Sequence, residues 1–108
     1  MNKLTILALT LMATALTSAR AADVKMLWDK NCAKCHGADG KGGTKAGKMA
    51  GAKDMTDAKW QADLTDEKGF KSVKEGIKEG DKVRMKPAEG ITDDDIKALV
   101  AYTRTFKK

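Results

Sequence analysis

The chain has 108 residues, enough for one small domain, and 33% of them are charged, with a formal net charge of +6. This basic excess is mild and is not interleaved with aromatic residues, so the composition does not favour a nucleic-acid-binding protein. Because only 5% of the residues are aromatic, the polypeptide alone can bury only a modest core.

The first 21 residues are predicted to be an export signal. Lys3 supplies a positive start, residues 4–16 form an apolar segment, and residues 19–21 resemble a small-residue cleavage site. The apolar segment is too short for a comfortable membrane span, although an uncleaved anchor is an alternative. We therefore expect cleavage after Ala21 and a single domain over residues 22–108. The signal contains two basic residues and no acidic ones, so this domain has a net charge of +4.

A first helix is predicted over residues 23–34. Asp23 is a suitable N-cap, and Val24, Leu27 and Trp28 fall near one face at helical spacing. Because this stripe is apolar, it must pack against another element of the fold.

The only two cysteines and the only histidine of the chain occur together as Cys32-Ala33-Lys34-Cys35-His36. Thiols at positions i and i+3 lie about one helical turn apart, so both can bond to the two vinyl groups of one porphyrin. The adjacent imidazole can then ligate the iron. The run therefore predicts a covalently attached c-type haem.

Other uses of the two cysteines are alternatives. A structural zinc site usually has four ligands, and since the chain has no further Cys or His, zinc would have to recruit carboxylates. A thioredoxin-like dithiol site would need a βαβ context, whereas the sequence has no convincing series of strands. A disulfide between Cys32 and Cys35 is common in an exported chain, but the histidine directly after them favours haem.

A glycine-rich loop is predicted after the motif, because six of the ten glycines lie in the fifteen residues 37–51. Such density indicates irregular backbone with positive φ angles and close approach to a flat ligand. The Gly-x-x-x-x-Gly-Lys-[Ser/Thr] pattern of a phosphate-binding loop is absent from the sequence.

A second helix is predicted from Thr65, a suitable N-cap, to Gly80, a suitable stop. Its buried face is predicted to consist of Phe70, Val73 and Ile77. Residues 81–90 are then a connection, which contains Pro87, the only proline of the chain.

The last helix has the clearest local signal, because Thr92 followed by Asp95 approximates a capping box. Its apolar positions at helical spacing are Ile96, Leu99, Val100 and Thr103. Since all the predicted elements are helices, the sequence predicts one all-α domain.

Over the segment after the signal, the chain resembles small bacterial class I, monohaem cytochromes c. Three features carry the resemblance in order: Cys-Ala-Lys-Cys-His-Gly after an aromatic-bearing helix, Met-Lys-Pro late in the chain, and Ile-Lys-Ala-Leu-Val-Ala-Tyr in the terminal helix. The first is highly specific, and the other two are weak alone. The resemblance implies an all-α fold whose first and last helices cross beside the haem, with Trp28 and Tyr102 close together.

The resemblance also implies the site. Cys32 and Cys35 would hold one haem c per chain, and His36 and Met85 would ligate its iron. Ligation by two histidines of one chain is excluded, because the sequence contains no second histidine.

Three other methionines of the domain are candidates for the sixth ligand. Met26 lies on the helix that leads into the motif and is expected on the wrong side of the porphyrin, whereas Met49 and Met55 follow a loop long enough to reach round it. Their ordinary role would be gap-filling in the core. Met85 is preferred mainly for its position in the family, and also because Pro87 stiffens the connection that presents it.

The function implied by the resemblance is one-electron transfer between redox protein partners in the periplasm. We expect no enzyme activity, no nucleic-acid partner, no stable membrane insertion and a monomeric chain. The alternative is a haem-based binder or sensor of small ligands with an open or displaceable sixth position. A basic docking rim could be formed by Lys30, Lys34, Lys41, Lys45 and Lys48, although dispersed, solvated lysines are an equally good interpretation.

Two finer contacts are expected. His36 is expected to donate its other ring nitrogen to a backbone carbonyl within residues 44–47. Trp60 is expected either to donate its indole N–H to a haem propionate or simply to pack. Because the haem would be the largest apolar body in the fold, we expect the haem-free chain to be largely unfolded.

Overall fold

The computed structural model describes residues 17–108, with side chains from Asp23 onwards, so most of the predicted export signal lies outside the described part. Over these residues the α-helices are α1 (Thr17–Asn31), α2 (Ala33–His36), α3 (Lys45–Ala50), α4 (Ala58–Asp63), α5 (Asp66–Glu75) and α6 (Asp93–Thr103). Strands β1 (Ile77–Glu79) and β2 (Lys82–Met85) form a hairpin, and a 3₁₀ turn follows α6 at Arg104–Phe106. The predicted all-α fold class is confirmed, with one small hairpin added.

Helix α1 begins six residues before the predicted start, so Asp23 lies inside it and is not its cap. The physical reason is the alanine-rich segment before Asp23, because alanine has the highest intrinsic helix propensity and nothing there stops a helix. Helix α1 ends at Asn31, and Cys32 separates it from α2. Among the described helices, none is both long enough and apolar enough to cross a membrane.

The glycine-rich segment is only partly irregular. Thr44 caps the short helix α3, since its hydroxyl oxygen accepts a hydrogen bond from the Gly47 N–H at 2.9 Å. Asp57 caps α4 in the same way through the Trp60 N–H at 3.0 Å. Neither helix was predicted, because each has fewer than two turns and shows no apolar periodicity.

Helix α5 begins as predicted and ends earlier. Thr65 caps it by accepting from the Lys68 N–H at 3.1 Å. The helix ends at Glu75, because Gly76 adopts φ 77° and ψ −177°, a positive-φ conformation outside the helical region. The prediction that Gly80 stops this helix is therefore wrong.

A β-hairpin occupies the end of the predicted second helix and the start of the predicted connection. Gly80 and Asp81 form its turn, and β1 and β2 pair antiparallel with Ile77 opposite Met85. Ile77 is 40% exposed, so its predicted place on the buried face of a helix is also wrong. The hairpin instead gives the Met85 backbone a fixed partner.

Helix α6 forms as predicted. Thr92 and Asp95 make a reciprocal capping box, in which each side chain accepts from the backbone N–H of the other at 3.1 Å. The predicted apolar positions are all buried, namely Ile96, Leu99, Val100 and Thr103. Helix α6 packs against α5 and α1.

The core lies where α1 crosses α6. Its buried cluster consists of Trp28, Cys32, Met55 and Leu99. The rings of Trp28 and Tyr102 are 5.5 Å apart, which confirms their predicted proximity, and Phe106 adds a third ring 5.1 Å from Trp28. Cys32 belongs to this cluster, so the crossing of the two helices sets the position of the motif.

Candidate haem site

The motif folds into a single helical turn, as its spacing predicted. The Cys35 and His36 N–H groups both donate to the Cys32 carbonyl, at 3.2 Å and 2.9 Å. Cys32 is buried and Cys35 half-buried, and both are free thiols. One turn therefore presents two thiols and one imidazole, which is the donor set that covalent attachment and ligation of a haem require.

Burial decides the protonation of two of these groups. It raises the pKa of the Cys32 thiol to about 11, which keeps this side chain neutral at neutral pH. It lowers the pKa of His36, so the imidazole is also neutral there and can offer a lone pair to iron.

A buried nitrogen of His36 lacks a partner. Among buried side-chain polar atoms of the described residues, only Nδ1 of His36 makes no hydrogen bond. The predicted bond from this ring to a carbonyl within residues 44–47 is therefore absent. Because buried polar atoms are nearly always paired, an unpaired imidazole nitrogen beside two free thiols fits a ring that serves a metal-bearing group.

The carbonyls near His36 already have other partners. The Thr44 hydroxyl donates to the Lys34 carbonyl at 2.7 Å and lies 3.0 Å from the Cys35 carbonyl. The Gly42 N–H donates to the carbonyl of His36 itself at 2.9 Å. Residues 42–47 thus hold the backbone of the motif helix α2 and do not hold the histidine ring.

Gly47 allows this close approach. A Cβ built on Gly47 would clash with the Cys35 carbonyl oxygen, so any side chain there would push α3 away from α2. Our sequence reasoning assigned neither Thr44 nor Gly47 this role. The available signal was Thr44 before a run of helix-forming residues, which is the pattern of an N-cap.

Trp28 fixes the chain immediately after the histidine. Its side chain is buried, and its indole N–H donates to the Gly37 carbonyl at 3.0 Å. Its ring centroid lies 5.7 Å from that of His36. Trp28 is therefore a core aromatic, and in addition it ties α1 to the residue that ends α2.

The four methionines of the domain lie in different surroundings. Met26 and Met49 are 70% and 72% exposed, whereas Met55 is 6% exposed inside the core cluster, where a packing role was the ordinary expectation. Met85 is half-buried at the end of β2.

Met85 belongs to an apolar face of the hairpin. Ile77 pairs with Met85, so these two apolar side chains lie on one face of the hairpin. Val83 pairs with Lys78, and an irregularity in the register separates this pair from the first. Arg84 forms an ion pair with Glu79 of the neighbouring strand at 3.1 Å. Ile77 and Met85 therefore offer apolar contacts of the kind a flat porphyrin needs.

Trp60 packs against the core cluster, which agrees with the packing alternative for this residue. The zinc alternative gains no support, because no group of three or more His, Cys, Asp or Glu that could hold a metal occurs between residues 17 and 108. The dithiol alternative gains none either, since the sheet in this part of the chain is a two-stranded hairpin without a βαβ unit.

Comparisons with known proteins agree with this site. Residues 21–107 match the family model described as Cytochrome c. The c-type cytochrome KustC0563 has a similar structure, with 39% identity and a TM-score of 0.69, covering 78% of this chain and 96% of that one. A tyrosine-to-phenylalanine mutant of Kustc0563 is also similar, with 38% identity and a TM-score of 0.68, covering 79% and 99%. A search of curated proteins found no significant match.

This fold and this site define a small haem protein of the c type. The chain belongs to the cytochrome c family, whose members carry covalently bound haem c and are haem-based electron carriers. The predicted family, fold class and cofactor are confirmed.

Proposed function

We propose that this chain is a periplasmic one-electron carrier whose haem c is held by Cys32 and Cys35 and ligated by His36 and Met85. The observation that carries the proposal is the single helical turn that contains both free thiols and a neutral imidazole. When bound, the haem supplies one-electron chemistry at iron.

Residues of the chain would determine how the haem is attached, how its iron is ligated and what reduction potential it has. The thiols of Cys32 and Cys35 would bear the thioether links. The imidazole of His36 would ligate in its neutral form, which burial favours. The thioether of Met85 would favour the reduced metal, so a positive potential is expected.

The environments of the four methionines support Met85 as the sixth ligand. Met26 and Met49 are largely in solvent, and Met55 is enclosed by the core, so its use would require the core to rearrange. Met85 is half-buried and pairs with the aliphatic Ile77. If His36 and Met85 both ligate the iron, no coordination position would be left for a substrate, which favours a carrier over an enzyme or a ligand sensor.

The export signal is proposed to end at Ala21. The family match begins at residue 21, and the similar structures cover nearly all of their own chains but only 78% and 79% of this one. The unmatched part is about as long as the predicted signal. Export would place the carrier in the periplasm.

Mass and visible spectra of the exported protein test the proposal. We expect a mass equal to residues 22–108 plus one haem, a low-spin ferric spectrum with the weak red band of methionine ligation, and reversible reduction by one electron. A high-spin ferric spectrum would favour the ligand-binding alternative instead. A colourless protein would favour the dithiol.

The five lysines of the predicted rim suit an acidic redox partner. Each side chain is exposed, and the ion pairs found among the described residues include none of them. Four of the five lie on or next to the motif and the helix α3 that packs against it. We propose that this rim steers an acidic partner by long-range attraction, with a weak and fast encounter.

Charge reversal tests the steering. Lys34→Glu and Lys45→Glu are expected to slow reduction by an anionic metal complex by roughly several-fold at low ionic strength, and the difference is expected to vanish in high salt. Stopped-flow rates across a salt series measure it. The control is Lys97→Glu, which reverses an exposed charge on α6. Equal effects of all three variants, or rates indifferent to salt, would favour dispersed lysines.

A further inference from the structure

We infer that Gly76 is a positioning residue for the sixth ligand: the missing side chain at this position lets the segment Met85-Lys86-Pro87 lie directly against the end of α5. The inference rests on the proposed ligation by Met85. It concerns a residue that lies inside the predicted second helix, where no role in the site was expected.

The space at Gly76 is filled by the backbone that carries the ligand. A Cβ built there would lie 2.5 Å from the Met85 carbonyl oxygen, and 2.9 Å from both Cδ and N of Pro87. Real Cβ atoms essentially never approach other atoms closer than 3.0 Å. Main-chain and ring atoms cannot rotate away as the end of a flexible side chain can, so any side chain at position 76 must displace the segment itself.

Bonds on either side of this contact hold the segment in place. Before it, Met85 pairs with Ile77 in the hairpin. After it, the Ala88 N–H donates to the Val73 carbonyl of α5 at 2.9 Å. The segment is therefore tied to the chain directly after Gly76 and to the helix directly before it, with Gly76 at the point of closest approach.

The backbone of Gly76 also requires glycine. Its φ of 77° and ψ of −177° fall in a region that residues with a Cβ hardly populate. This conformation turns the chain from α5 into β1, and β1 in turn sets the register of β2. One glycine thus provides both the turn and the space that fix where the Met85 backbone lies. A ligand held within about 0.5 Å of its productive place needs such support.

Gly76→Ala in the haem-loaded protein tests the inference. We expect loss of most of the weak red ferric band, a lower reduction potential, and binding of added imidazole to the ferric iron that is at least about tenfold tighter. Haem content is expected to stay at one per chain, because Cys32 and Cys35 are untouched. The same measurements on Met85→Ala show what complete loss of the ligand looks like.

Two glycine variants separate an effect on the position of Met85 from a general loss of stability. Gly80 also has a positive φ, 59°, but a Cβ there meets nothing within 4 Å, so Gly80→Ala carries backbone strain alone. Gly69→Ala places a Cβ 3.0 Å from Val100 on α6, so it disturbs α5 away from the ligand segment. Both variants are expected to lose thermal stability while keeping the red band and the potential.

Gly69→Ala covers the case in which Gly76→Ala folds poorly, because it disturbs α5 without touching the ligand segment and shows whether lower stability alone removes the band. If Gly76→Ala keeps the weak red band as fully as Gly80→Ala does, the inference about Gly76 is overturned while the ligation by Met85 stands. Absence of the band from the unmodified protein would overturn the ligation by Met85, and this inference with it.

Discussion

Replacing Met85 with alanine is expected to open the sixth coordination position while leaving the haem attached. The ferric spectrum is expected to change from low-spin to high-spin with loss of the weak red band. The potential is expected to fall by on the order of 0.1 V, because thioether sulfur favours ferrous iron and axial ligands span a range of about 0.8 V. Visible spectroscopy and a redox titration measure both.

Two other methionines serve as controls for Met85→Ala. Met49 is 72% exposed, so Met49→Ala is expected to leave the spectrum, the potential and the stability unchanged. Met55 is buried beside Trp28 and Leu99, so Met55→Ala is expected to reduce the free energy of unfolding by roughly 2–5 kcal/mol with the band retained. If Met85→Ala keeps the band and either control loses it, the assignment of the ligand is wrong.

The parts of the fold that the sequence predicted well depend on neighbouring residues. The capping box of Thr92 and Asp95 and the apolar spacing that follows them fix α6 without information from elsewhere in the chain. The motif likewise needs only its own spacing, because five consecutive residues contain the two thiols and the imidazole. Local signals of this kind predicted both the last helix and the helical turn that brings the two thiols and the imidazole together.

The end of α5 could not be predicted, because two glycines compete there. Gly76 and Gly80 are each able to end a helix, and Ile77 continues the apolar spacing set by Phe70 and Val73. The choice of Gly76 depends on the Met85 and Pro87 backbone, which lies against it and leaves room only for a glycine. This contact joins Gly76 to a later segment of the chain, so the apolar periodicity of the helix does not predict it.

The hydrogen-bond partner of the His36 ring could not be predicted from the sequence for a related reason. The prediction assumed that the segment 44–47 offers a free carbonyl to His36. In the fold, the Thr44 and Gly47 carbonyls accept from the Lys48 and Ala52 N–H groups, and the Thr44 hydroxyl donates to the Lys34 carbonyl. A hydroxyl that both caps α3 and bonds to α2 depends on how the two helices pack, which no local pattern encodes.

The chain without haem is expected to lose cooperative folding. Among the described residues, the buried hydrophobic core is small and consists of Trp28, Cys32, Met55, Ile96, Leu99 and Val100. Ile77 and Val83 on the hairpin are 40% and 46% exposed, so the hairpin contributes little burial of its own. A small domain with so few buried apolar side chains gains little stability from its own core, and a haem bonded through two thioethers would add both an apolar body and a cross-link.

The measurement compares one sequence in two forms: residues 22–108 exported and loaded with haem, and the same residues produced in a reducing compartment where no haem is attached. We expect a cooperative thermal transition only for the haem-loaded form, and protection from hydrogen exchange in the other form only near the crossing of α1 and α6. Because the sequence is identical, the difference is due to the haem alone. A cooperative, native-like melt of the haem-free form would mean that the cluster around Trp28 suffices to fold the domain, which would reduce the haem to a bound cofactor on a preformed scaffold.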